Sequence, residues 1–453
     1  MLTRLAAWPS CYVGHVDITP EGPLPLAGYK NRHGSSTGVH SSLEAGFLLC
    51  EAAGEPCLLI GLDTLFASEA LRERLADALA PKVAGLAARH IQLVASHTHY
   101  APSLDPTKPR LGEANEAYLD TVVMRLARCI VTAIDDGGIT ISHCRTTAAE
   151  CAENVHRRRL TWVRQRRSLR FTKQVATAPN TRVAVDSMVR SSTLVDGEGA
   201  TRLVLWSWPC HPVSRGQTSL VSADFPGVVR SRLRSQYGDD VVILYLPGLS
   251  GDVRPRQIQQ SRSLRDVMNM PFARGFAPFD EDSHASWCAR VAAAVADATA
   301  EPDGPVELDG SLEVDGPLEL YVSGTPVDEI TTVGANVDTR SLPLADIMVG
   351  LEDDTRSLDC TRIMLPPLSL ALINAEVCAG YADTLDDVDH ASGCVNSVHG
   401  YLPTDAQIAV GGYEVEGFAP LFSLSGRYRP GIARRISAFF RKSAADGDTD
   451  AGA

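Results

Sequence analysis

CLLIGLDTLFASEALRERLADALAPKVAGLAARHIQLVASHTH, residues 57–99, is the stretch on which the fold turns. CLLIGLDTL (57–65) is a short apolar run bounded by polar residues and reads as a buried strand. EALRERLADALAPKVAGLAA (69–88) repeats its apolar residues at helical spacing and predicts an amphipathic helix. HIQLVASHTH (90–99) reads as a second strand running into a loop. Strand, helix and strand in that order call for a crossover and a sheet with parallel pairing.

The same alternation continues outward. Residues 116–136 predict a second strong helix, and TRLVLWSWP (201–209) a strand. FPGVVRSRLRSQYG (225–238) predicts a helix, DVVILYLPG (240–248) a buried strand, and HASWCARVAAAVADATAE (284–301) a further helix. Residues 306–370 read as strands with turns, and 255–283 as a long irregular loop of the kind that forms lids. The fold class expected is therefore α/β, with mixed β-sheets covered by helices. HRRRLTWVRQRRSLRFTK, inside 153–192, is a dense basic run in an acidic chain. It fits either a solvated loop or hairpin, or a positive wall beside an anionic group.

The chain has 453 residues, 44% of them apolar and 21% charged, with a formal net charge of −13. Such a balance excludes nonspecific nucleic-acid binding and an anionic membrane surface as partners, because both need basic surface. No run of eighteen apolar residues occurs. Pro9 and Cys11 interrupt the N-terminal apolar stretch before a secretion-signal core can form, so a cytoplasmic protein is expected. Eleven scattered cysteines without a CxxC pair fit buried free thiols in a reducing compartment. The last residues, AADGDTDAGA, have no apolar anchor, so 441–453 is expected to be a disordered tail.

Four short segments can carry chemistry. SHTHYAPS sets His97 and His99 on one face at a strand end, where two imidazoles can reach one point. WSWPCHPVSRG places His211 just beyond a buried strand, where α/β proteins put their sites. LPGLSGDVRPR puts Asp252 and Arg254 in a loop whose glycines allow close approach to a ligand. ALINAEVCAGY and VNSVHGYLPTD supply a lone carboxylate, Glu376, at the end of an apolar run, and Tyr401. Taken singly, each also fits a plain role: surface or core histidines, a turn capped by Asp252, a packed Tyr401.

Together these segments, with VGHVDITPEG, LAGYKNR and GVHSSLEAGFLL before them, form an ordered pattern that resembles the neutral, non-lysosomal ceramidases and their bacterial relatives. SHTHYAP, WPCHPVSRG with SADFPG, SGDVRPR, INAEVCAG and NSVHGYLPT are each similar to a segment of that family, in the family's order. The resemblance implies a zinc ion held by His97, His211, Glu376 and Tyr401, with His99 beside it handling substrate and proton. Other divalent metals compete for such a set.

Two departures from the family pattern bear on the site. Arg254 stands where the family has a serine, which removes a serine nucleophile and leaves an activated water as the attacking group. Val155 stands where the family has a substrate-contacting arginine, with Arg157 as the best substitute and Arg158 as the second. His99, Arg157 and Arg254 are thus the expected catalytic residues, and Tyr29, Arg158 and Asp252 the expected substrate contacts. The family's C-terminal immunoglobulin-like domain is expected to be missing, leaving one metallohydrolase domain over 1–440 with lobes at 1–300 and 301–440. The function expected is zinc-dependent hydrolysis of an amide-type C–N bond in a small, polar, anionic molecule by metal-activated water. A lyase, cyclase or esterase on the same site, or a non-catalytic ligand-binding relative, are the alternatives.

Overall fold

The computed structural model describes residues 11–300 and 336–441, apart from 167 and 217, together with the two-residue strands Thr3–Arg4, Tyr321–Val322 and Thr325–Pro326. The expected tail, beyond residue 441, and most of 306–335 lie outside the described residues.

β1 (Tyr12–Asp17), β2 (Glu44–Ala52), β3 (Glu55–Leu62) and β4 (Ile91–Ala95) form the first sheet in that order. Pairing is antiparallel until β3 meets β4, which run parallel through the crossover helix α1 (Glu69–Leu79). The Ser68 hydroxyl caps α1 by accepting from the Leu71 N–H. α1 stops at Leu79, short of the expected 88, because Pro81 cannot continue the ladder and disfavours a helical residue before it. α2 (Glu116–Asp135) lies beside α1. Leu71, Leu75, Leu119, Val122 and Leu126 from the two helices bury the outer face of the sheet at Phe47, Ile60 and Leu93.

The second sheet orders β5 (Ile141–Glu150), β6 (Met188–Asp196), β7 (Thr201–Trp208) and β8 (Val242–Pro247), with Thr3–Arg4 at the β5 edge. β7 and β8 are parallel, joined through α3 (Asp224–Tyr237). α3 and α4 (Glu281–Thr299) cover its outer face, where Phe225, Val229, Trp287 and Val291 meet Trp206, Trp208 and Tyr245. The inner faces of the two sheets share one core of Leu48, Leu59, Val94, Leu203, Leu205, Leu244 and Leu246. Gly46 and Gly61 let the sheets close, since Leu244 Cδ2 lies 3.0 and 3.3 Å from where their Cβ atoms would stand.

A third sheet, β9 (Asn336–Pro343), β10 (Ser357–Leu365), β11 (Leu368–Ile373) and, further along, His390–Ser392, adds Ile363, Leu368, Leu370 and Leu372 to that same core. The architecture is α/β with mixed sheets covered by helices, as the alternating pattern predicts. The basic run forms an antiparallel hairpin, Arg158–Arg164 with Phe171–Thr177. The 255–283 segment is more ordered than an irregular loop: it holds a helix, Leu264–Asn269, and an Ile258–Phe276 bridge closes its base.

Candidate metal centre

Three strand ends deliver the site. His97 and His99 follow β4, His211 follows β7, and Ser250 to Asp252 follow β8. Ligand atoms of His97, His99 and His211 lie within 4.8 Å of one another, a grouping able to hold a metal ion. His97 is held at φ +65°, a left-handed conformation that a non-glycine residue keeps only when its surroundings impose it. Glu376 comes from the C-terminal part of the chain. Its two-residue strand Glu376–Val377 pairs in parallel with Tyr401–Leu402, so Glu376 and Tyr401 stand side by side. Gly251 permits this approach, because a Cβ there would lie 2.6 Å from the Glu376 carbonyl oxygen.

Hydrogen bonds fix the tautomers. His97 Nδ1–H donates to the Leu65 carbonyl at 3.0 Å and His211 Nδ1–H to the Ser250 carbonyl at 2.7 Å. Each ring therefore turns an Nε2 lone pair inward. Glu376 Oε2 lies 3.3 Å from His97 Nε2 and 3.2 Å from His211 Nε2. Two lone pairs and a carboxylate oxygen thus face one another in a buried space. His97 Nε2 and Glu376 Oε2 have no hydrogen-bond partner there. His97 Nε2 and Glu376 Oε2, two buried acceptors without a donor, call for a positive charge between them, while His211 Nε2 also meets Arg157 NH1 at 3.2 Å.

Burial and neighbouring charges act differently on the three histidines. Burial, then the charges of Arg157 and His97, push His211 down to about 4. Burial, then His97 and His211, push His99 well below its ordinary value. Burial opposes charge on His97, but adjacent Cys394 and Glu376 raise it well above. Because burial raises the Cys394 thiol and keeps it protonated, Glu376 is the group that matters. Burial would raise Glu376, yet His97 and His211 hold it well below the carboxylate range.

The remaining expected residues divide. Arg157 Nε donates to Glu414 Oε1 at 2.7 Å and its NH1 to His211 Nε2 at 3.2 Å, and its guanidinium carbon sits 5.4 Å from the Tyr401 ring centre. Arg254 stacks on Phe276 at 4.7 Å, and its buried Nε has no partner. Tyr29 packs 5.0 Å from the His99 ring, with its hydroxyl 3.4 Å from that of Tyr100. Two expected substrate contacts are engaged elsewhere. Arg158 donates to Glu414, Gly411 and Gln407. Asp252 accepts from His156 at 2.9 Å, from the Ala379 N–H at 2.8 Å, and from Gln407. Both groups are buried and their polar atoms are taken up by the protein, so they brace the site rather than face a ligand.

Three contributors were not foreseen. Glu414, 1% exposed, is the acid that two adjacent buried arginines demand. Arg32 reaches the His99 carbonyl at 2.8 Å and stacks over Tyr29. Gly28, at φ +105°, lies under the His99 ring, where a Cβ would fall 2.5 Å from Nδ1. The glycine and arginine of LAGYKNR carried that signal, without any way to tell what they touch.

Stacked sheets with three histidines gathered at their strand ends define an α/β protein with a metal-capable centre. Its fold is that of the neutral ceramidases. The neutral ceramidase from Pseudomonas aeruginosa matches with a TM-score of 0.64 at 14% sequence identity, over 96% of this chain and 74% of that one. A ceramidase described as complexed with C2 matches with a TM-score of 0.61 at 15% identity, over the same shares. No family model matches the chain, and no curated protein matches it in sequence.

Proposed function

We propose that this chain is a zinc-dependent hydrolase that cleaves an amide-type C–N bond in a small, polar, anionic substrate. The observation that carries the reading is the meeting of the His97 and His211 lone pairs with Glu376 Oε2, an acceptor set that a divalent cation satisfies. His97, His211, Glu376 and Tyr401 are the ligands we assign, with 1–440 acting as one catalytic unit. Bound zinc supplies Lewis acidity and acidifies water near neutral pH.

The chain's own residues do the rest. The Nδ1–H bonds to Leu65 and Ser250 aim the Nε2 atoms of both imidazoles inward. His99, neutral and without a partner on either nitrogen, takes the proton from the attacking water and returns it to the leaving nitrogen. Water oxygen joins the carbonyl carbon, the C–N bond breaks, and an acid and an amine leave. Arg157, held by Glu414, steadies charge developing beside His211. The likeness to ceramidases, whose name denotes amide cleavage, supports the reaction class. Among the described residues no helix is long and apolar enough to cross a membrane. Eleven cysteines, ten of them buried, support a reducing cytoplasm.

The test is metal content by elemental analysis alongside turnover of an amide panel. His97→Ala and His211→Ala are expected to lose both. Stoichiometric zinc in the double variant would refute the ligand assignment.

A further inference from the structure

Among the described residues, no carboxylate pairs with Arg254. Of the titratable groups, Tyr29, Arg157, Tyr100 and Cys210 act on it most strongly, and none of them is a carboxylate. Arg157 is already paired with Glu414, and nearby Asp224 is bound by the Ser214 N–H and hydroxyl. A guanidinium shut off from solvent at Nε and lacking a counter-ion is costly unless an anion arrives. Phe276 covers the flat face of the guanidinium, which leaves its donor edge for a planar acceptor. Tyr29 and Tyr100, both raised by burial and so protonated, set their hydroxyls 3.4 Å apart, with that of Tyr100 also accepting from the Arg215 N–H at 3.2 Å. Tyr29 in turn packs on His99, which ties this corner to the metal centre.

We propose that Arg254, with the hydroxyls of Tyr29 and Tyr100, forms a subsite for a single carboxylate, and that the substrate is an N-acyl amino acid or a similar amide with a carboxylate beside the scissile bond. One unneutralised guanidinium balances a monoanion, and a phosphate dianion would leave a buried negative charge. The bound carboxylate fixes which side of the amide meets His99. Water adds to the acyl carbon, the C–N electron pair stays on nitrogen, and the amino acid departs with the transferred proton. This assignment rests on the hydrolase reading for its chemistry but not for its binding.

The zinc-loaded protein is titrated with benzoate and with benzamide by calorimetry, and assayed on N-acetyl amino acids beside their carboxamides. Wild type is expected to prefer benzoate. Arg254→Gln is expected to bind benzoate on the order of 10- to 100-fold more weakly, and Arg254→Lys, which keeps the charge, to recover part of the loss. The N-acetyl amino acids are expected to turn over with lower KM than their carboxamides, and Arg254→Gln to erase that difference. Equal benzoate affinity in wild type and Arg254→Gln, at unchanged melting temperature, puts the anion on the metal and overturns the subsite. Absence of benzoate binding in wild type overturns it as well. Arg254-dependent benzoate binding with no hydrolysis of any amide upholds the subsite and sinks the hydrolase reading alone.

Discussion

Replacing Gly28 with alanine tests how His99 is positioned. A Cβ at residue 28 would lie 2.5 Å from His99 Nδ1, 2.6 Å from its Cγ and 2.8 Å from its Cβ. Ordinary contact needs about 1 Å more, and displacement of a catalytic group by that distance costs roughly 100-fold in rate. The backbone adds its own penalty. At φ +105° an alanine is strained by about 1–3 kcal/mol, so a melting temperature lower by a few degrees is expected. Because the assigned ligand set excludes His99, zinc stoichiometry after dialysis against a weak chelator should stay at the wild-type level. The assay compares kcat, melting temperature and zinc content in Gly28→Ala and wild type. Unchanged kcat refutes the positioning argument. Zinc lost together with activity, in a protein that still melts cooperatively, makes His99 a ligand and breaks the four-residue assignment.

Two further outcomes follow from buried charge. Glu414→Gln strands Arg157 and Arg158 without their acid and should destabilise the fold by about 3–5 kcal/mol in urea denaturation, and a loss under about 1 kcal/mol contradicts the pairing. Burial and then the charge of Arg190 push His390 down to about 3 from an ordinary 6.5, so the unfolded chain takes up a proton that the folded one refuses. The stability it contributes is whole above pH 6.5 and is lost as the pH falls toward 3. His390→Gln should flatten the slope of stability against pH in that window by up to about 1.4 kcal/mol per unit, and an unaltered slope would count against it.

What could be read beforehand followed local periodicity. Strands at 57–65, 201–209 and 240–248 and helices at 116–136 and 284–301 stand within a few residues of the expected limits, because each buries one continuous apolar face. The HxH pair and His211 at strand ends were legible for the same reason. Helix α1 was overextended because Pro81 weighed less than the apolar repeat beyond it. Glu376 stood out only as a lone carboxylate at the end of an apolar run, and Tyr401 had no local signature. What joins them is a two-residue ladder between segments 25 positions apart, and only the family resemblance pointed to it. Arg158 and Asp252 were chosen by type and neighbourhood. Their partners, Gln407, Gly411, Glu414 and Ala379, lie more than a hundred residues away, where no spacing rule reaches.

The ladder of Glu376–Val377 with Tyr401–Leu402 also bears on how such a molecule comes into being. During synthesis His97 and His99 leave the ribosome some three hundred residues before Tyr401, and His211 about 190 before it. Until the strands Leu368–Ile373 and Glu376–Val377 arrive, Val94 and Leu246 lack their cover from Leu370 and Leu372, and the imidazoles have no carboxylate opposite. Assembly of the centre thus depends on long-range contacts, which are slow to form. A chain cut short before Glu376 would present the histidines with no carboxylate opposite.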